Sequence, residues 1–112
     1  MKKIARIDIK GDITSDKNAS FYRRFGINAT CPADVKDALA TANGENIDIY
    51  INSPGGEIFA ASEIYSELRA YKGNVKIHIV GIAASAASVI ACAAKSDISP
   101  TGMMMIHNVS SY

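Results

Sequence analysis

IDIYINSPGGEIFAASEIYSEL, Ile47 to Leu68, holds a strand, a glycine turn and a helix in immediate succession. Ile47, Ile49 and Ile51 alternate with Asp48, Tyr50 and Asn52, the period of a half-buried strand. Ser53-Pro54-Gly55-Gly56 reads as a turn, because proline presets φ and glycine reaches conformations closed to other residues. Ile58, Ala61, Tyr65 and Leu68 then share one helical face, with Glu57, Glu63 and Glu67 elsewhere, until Lys72-Gly73-Asn74 breaks the helix.

The flanking sequence repeats this alternation. Downstream, Val75 to Val80 (VKIHIV) reads as a strand, Gly81 to Ser85 as a turn, Ala86 to Ala94 as a small-residue helix and Met103 to His107 (MMMIH) as a further strand. Upstream, Ile4 to Lys10 (IARIDIK) is a strand closed by Gly11-Asp12. Asp12 to Cys31 has no sustained period and reads as a loop whose Phe21, Tyr22 and Phe25 could pack down on the body. Pro32 opens a helix whose Val35, Ala38, Leu39 and Ala42 share a face, and Asn43-Gly44 ends it. Strand and helix alternating at this spacing imply an α/β fold built from βαβ units, with a mostly parallel sheet and right-handed crossovers. Functional groups gather beyond the carboxyl ends of such strands, which here means Gly55-Gly56, Ser85 and His107.

Length and composition bound the rest. A chain of 112 residues with 48% hydrophobic and 21% charged residues has the balance of one soluble domain over residues 1–112. Roughly 65% of the unfolded surface is buried at this size, so no disulfide is needed to stabilise the core. A net charge of +1 supplies no field for nucleic acid or an anionic membrane, and Tyr22-Arg23-Arg24 is too short a basic cluster to change that. Cys31 and Cys92 form neither a metal motif nor a disulfide framework, which suits a cytoplasmic protein. Charges at Arg6, Asp8 and Lys10 interrupt any secretory leader, and Val80 to Ala94 is too short and weakly apolar to span a bilayer. His78 reads as a strand side chain, since no second His or Cys is spaced for a metal, and Met103 to Met105 read as core filler. Neither a metal nor another cofactor is expected.

Ser85 falls between a strand and a helix, where free backbone N–H groups can stabilise a developing anion. Its hydroxyl needs an imidazole within hydrogen-bond reach, which His107 on a neighbouring strand end can supply. Gly55 and Gly56 let the backbone approach a substrate with exposed N–H groups, one half of an oxyanion hole, and the amide of Ala86 is the natural other half. Taken singly, each residue has a plainer reading: Ser85 as a helix cap, His107 as an ordinary histidine, Ser-Pro-Gly-Gly as a turn.

Taken jointly, IYINSPGGEIFAASEIY (Ile49 to Tyr65), GIAASAASVIACAA (Gly81 to Ala94) and MMMIHN (Met103 to Asn108) resemble the Clp protease proteolytic subunit family, especially its prophage-encoded, head-maturation-like branch. The resemblance covers roughly the second half of the chain and implies a ClpP/crotonase-like fold. It further implies a serine endopeptidase acting on extended polypeptides, with Ser85 as nucleophile, His107 as base and Gly56 and Ala86 as oxyanion donors. The strand at the glycine turn would align substrate by backbone pairing, which extends to Gly55, Glu57 and Ile58. Capsid or scaffold proteins are the substrates implied by the prophage branch, and a homo-oligomeric ring is the implied assembly.

Two departures shape the expectations. The family's third triad member, an aspartate, lies well beyond the histidine, whereas this chain stops at Tyr112, and Asp97 matches no family position. Without a carboxylate to orient the imidazole a triad can lose about 10⁴ in turnover. The domain is therefore expected to be incomplete, truncated before the family's handle helix, with apolar surface exposed. The first strand also begins almost at Met1, so dependence on an AAA+ unfoldase is not expected. The competing readings are a crotonase-like acyl-CoA enzyme, which shares the fold and an amide oxyanion hole, and a catalytically silent fragment acting as an assembly module.

Overall fold

Isoleucine at alternate positions of three successive segments builds the sheet. The computed structural model describes residues 4–100 and 102–105, with only the backbone of Met105. Its elements are β1 (Ile4–Ile13), α1 (Asp16–Arg24), β2 (Ala29–Thr30), α2 (Pro32–Ala42), β3 (Asn46–Gly56), α3 (Ile58–Ala70), β4 (Val75–Ala84), α4 (Ala86–Ala91), β5 (Lys95–Ile98) and β6 (Met103–Met105). The strands lie in the order β2-β1-β3-β4-β5, with β6 also on β4, and every described pair is parallel. The expected α/β architecture is present.

Ile7, Ile9, Ile47, Ile49, Ile51, Ile77 and Ile79 are buried on one sheet face against Val35, Leu39, Ala61, Ile64, Leu68, Ala87 and Ile90 of α2, α3 and α4. Burying each isoleucine contributes roughly 1.5–3 kcal/mol. The face of α3 that packs is Ala60, Ala61, Ile64 and Leu68; Ile58 is exposed and Tyr65 only half-buried, so the expected stripe is shifted. The shift follows from packing small alanines close to the sheet. The chain runs from β1 out to β2 on one side and back to β3 on the other. The order therefore reverses at β1, and in open α/β sheets such a point carries the functional crevice at the carboxyl ends.

Several expectations change. The segment 12–31 is not a loop: it holds α1 and β2. Ser15 caps α1, its hydroxyl accepting from Asn18 N–H at 3.2 Å, and Arg23 bonds both oxygens of Asp34 on α2 at 2.6 and 2.7 Å. Only Ala19 of α1 is buried, so the helix rests on caps and charges and leaves no apolar period to read. Phe21 and Phe25 stay exposed and pack on each other with tilted rings, centroids 4.9 Å apart, instead of packing down.

The supposed turns at Ser53–Gly56 and Gly81–Ser85 are strand up to Gly56 and Ala84. Gly55 and Gly56 remain paired with Asp12 and Ile13, and Ile82 to Ala84 pair with β6. The glycines serve close approach rather than reversal. Between Ile51↔Ile79 and Ser53↔Ala83 the register jumps, and the Asn52 side chain fills the gap by accepting from Ile82 N–H at 3.2 Å. α4 ends at Ala91, and β5, which no alternation announced, follows. Met103 and Met104 are exposed on β6 rather than filling the core, and the remainder of the expected strand to His107 lies outside the described residues.

On the opposite face of the sheet, Arg6 sits 3.9 Å above the Tyr50 ring, and Tyr50 stacks on His78 at 4.8 Å. His78 Nε2 lies 3.1 Å from Asp48 and Nδ1 3.0 Å from Asp97, with the Lys76 ammonium 4.0 Å from the same Asp97. Both carboxylates only accept, so the imidazolium alone can donate to both. Burial pulls the His78 pKa down, but the bonds to Asp48 and Asp97 outweigh it and raise it above the ordinary 6.5. A raised folded-state pKa adds stability that is full below the unfolded value and lost as pH rises through the folded one. The urea midpoint should therefore fall as pH climbs through and above 6.5 in the parent. The His78→Gln protein should show less of that slope, and an unchanged slope would refute the double bridge.

Candidate active site

The carboxyl end of β3 is assembled by polar groups inside the sheet. Ser53 is fully buried; its hydroxyl donates to the Gly11 carbonyl at 2.6 Å and accepts from Gly55 N–H at 3.1 Å. Gly55 and Gly56 hold φ of 111° and 149°, a region that L side chains rarely adopt. A Cβ on Gly55 would lie 2.8 Å from Ala84 O, 3.0 Å from Ser85 Cβ and 3.3 Å from Ala86 N. A Cβ on Gly56 would meet the backbone of Ile13, its oxygen at 2.1 Å. The two glycines are thus wedged between the end of β1 and the corner that leads from β4 into α4.

Glu57 fastens this wedge. Its N–H donates to Ile13 O at 2.9 Å, and its Oε2 accepts from Thr14 Oγ1 at 2.7 Å, Ser15 N–H at 2.9 Å and Asn18 Nδ2 at 3.5 Å. The Thr14 hydroxyl, followed by the Ser15 amide, holds the carboxyl below the usual glutamate range. The expected substrate contact at Glu57 meets a different arrangement, because its N–H and one carboxylate oxygen are engaged within the chain. Ile58 and Phe59, at the start of α3, are exposed, Phe59 by 88%.

Ser85 has φ 52° and ψ −121°. A non-glycine residue held there costs about 1–3 kcal/mol and persists only where its surroundings over-determine it. A capping serine has extended φ and ψ and a hydroxyl bonded into the first turn. Ser85 has neither: its side chain makes no capping bond. The helix-cap reading fails on geometry. A serine on a strained strand-to-helix corner, its hydroxyl free of the helix, is the arrangement of a nucleophile elbow. α4 has only six residues, so what the corner offers is its individual amides.

The structure therefore brings Gly55, Ser85 and Ala86 together and sets Gly56 beside them against β1. β6 runs along the end of β4, Met105 pairing with Ala84, the residue before Ser85. His107 lies outside the described residues. Asp97 bonds His78 on the polar face of the sheet. Among the described residues no group of three or more His, Cys, Asp or Glu could hold a metal ion. A cavity of about 410 Å³ lies between α2 and α3, against Leu39, Ala40, Asn43 and Tyr71, and none of Gly55, Gly56, Ser85 and Ala86 lines it. Thr14, Asn52, Ser53 and Ser88 were missed by the motif reading. The available signal was at Ser53, which continues the internal positions Ile47, Ile49 and Ile51 of the alternation.

Gly55→Ala tests the wedge. The new methyl would meet the backbone oxygen of Ala84, which cannot swing aside as a side chain would. The substitution should cost roughly 1–3 kcal/mol in urea unfolding, from strain and overpacking together. A protein as stable as the parent would show that the approach is looser than described.

Comparison with known proteins shows the family. Residues 33–112 match the Clp protease family. The ATP-dependent Clp protease proteolytic subunit of Carsonella ruddii is 35% identical over 117 residues, covering 94% of this chain and 60% of its own length. That of Bacteroides fragilis is 40% identical over 67 residues, 57% of this chain and 32% of its own length. Among solved structures, ClpP1 from Listeria monocytogenes superimposes with a TM-score of 0.62 at 27% identity, over 80% of this chain and 46% of that one. This chain therefore spans between 32% and 60% of the length of these relatives.

Proposed function

The chain belongs to the Clp protease family, and from that premise we propose that it is the Ser85-bearing part of a serine endopeptidase acting on extended polypeptides. The observation that carries the reading is the strained Ser85 corner, its hydroxyl free of the helix and Gly55 pressed against it.

In this mechanism Ser85 Oγ attacks the scissile carbonyl carbon while His107 takes its proton. The oxyanion is held by the N–H groups of Gly56 and Ala86. Gly55 N–H is already given to Ser53 Oγ, which favours Gly56 as the donor from this strand. Collapse of the tetrahedral intermediate expels the amine, which receives the proton from His107. Water, deprotonated by His107, then releases the acyl group and restores Ser85. Substrate enters as a strand along Gly55 and Gly56, with Ile58 and Phe59 available as apolar contacts. Glu57 acts here through the wedge it fastens.

The wording Ala84-Ser85-Ala86-Ala87-Ser88 favours the prophage branch and hence capsid or scaffold polypeptides as substrates. Exposed Phe21, Phe25 and Phe59 suit a chain that assembles with copies of itself.

Peptides of a few residues need no unfolding, so a fluorogenic peptide without an ATPase is a sufficient assay. Ser85→Ala should fold as the parent does by circular dichroism and lose at least about 10³-fold of its hydrolysis. Cleavage by that variant at the parent's rate would remove Ser85 from the mechanism.

A further inference from the structure

Ser88 is a buried polar side chain next to Ser85 for which the mechanism above has no use. It is 3% exposed and lies one turn into α4. Both its N–H, at 2.9 Å, and its hydroxyl, at 2.5 Å, donate to the carbonyl of Ser85. Serine hydroxyls often turn back onto the preceding turn of a helix. Here, however, the acceptor belongs to the residue held at φ 52° and ψ −121°.

The peptide unit that joins Ser85 to Ala86 is planar and trans, so its C=O and N–H point to opposite sides. Two donors that hold the Ser85 carbonyl therefore also set the direction of the Ala86 N–H. The Ala86 nitrogen lies on the Gly55 side of the corner, 3.3 Å from where a Cβ on Gly55 would stand. Donation to the carbonyl also polarises the amide and strengthens its N–H as a donor.

We propose that Ser88 is a positioning residue for the oxyanion site: its hydroxyl holds the Ser85–Ala86 peptide plane so that Ala86 N–H faces the developing oxyanion. This rests on the peptidase reading. No bond forms or breaks at Ser88, which acts wholly through its neighbour. Removing the hydroxyl leaves the Ser88 N–H in place, so the fold survives while the plane gains freedom.

The test compares the parent, Ser88→Ala and Ser88→Thr on the whole chain. Peptide hydrolysis by Ser88→Ala should show kcat reduced about fivefold to tenfold with KM unchanged, the scale of one hydrogen bond. A peptide aldehyde, whose adduct oxygen occupies the oxyanion site, should lose affinity by the same factor. Threonine, which keeps the hydroxyl, should restore both. An unchanged kcat in Ser88→Ala, or kcat and KM moving together, would overturn the proposal. So would a threonine variant that folds like the parent yet behaves like alanine.

The Ala86 amide resonance and the Ser85 backbone coupling, read by NMR, separate this proposal from the peptidase reading. If the parent hydrolyses no peptide, that reading falls, and the spectra still judge Ser88. A displaced Ala86 signal with loss of the positive-φ signature at Ser85 supports its positioning role, whereas superimposable spectra refute it.

Discussion

At Gly55 the end of β3 comes so close to β4 that one methyl group would stand 2.8 Å from the carbonyl oxygen of Ala84. Only glycine permits that approach, and only this approach brings the Gly55-Gly56 backbone against Ser85 and Ala86. The constraint reaches back through the molecule. Ser53 must be buried to engage Gly55 N–H, Asn52 must fill the register jump with its side chain, and Glu57 must tie the corner to Ile13, Thr14 and Ser15. Of these, Ser53 stands where the alternation would place an apolar residue. Each answers a backbone donor or acceptor that the irregular strand ends leave unpaired.

The sheet and its main helices were legible because burial imposes a period. Ile47, Ile49 and Ile51, or Val35, Leu39 and Ala42, are internal at the spacing their elements dictate. α1 and β5 were not legible, for opposite reasons. α1 buries only Ala19 and depends on Ser15, Arg23 and Asp34, which carry no period. β5 is four exposed residues held by ladder bonds and by the Asp97–His78 contact, so its strand character comes from its neighbour. Glycine was misread for a third reason. It marks either a reversal or a close approach, and only the register with β1 and β4 distinguishes them.

The candidate site was legible in part. Ser85 could be named from its place between strand and helix, but its strain could not, since nothing in Ala-Ala-Ser-Ala-Ala announces a positive φ. That strain sets Ser85 apart from a capping serine. The supports around it, Thr14, Ser53 and Ser88, are hydroxyls that donate to the Glu57 carboxylate, the Gly11 carbonyl and the Ser85 carbonyl, partners that no motif spacing announces. Ser85 lies within the matched residues 33–112, and its corner adopts a conformation that no cap requires.

A nucleophilic Ser85 should take up a phosphonyl group. Intact mass after incubation with a fluorophosphonate, with the Ser85→Ala protein alongside, tests it most directly. A single adduct is expected on the parent and none on the alanine protein. Absence of an adduct on the folded parent, or the same adduct on both proteins, would contradict it.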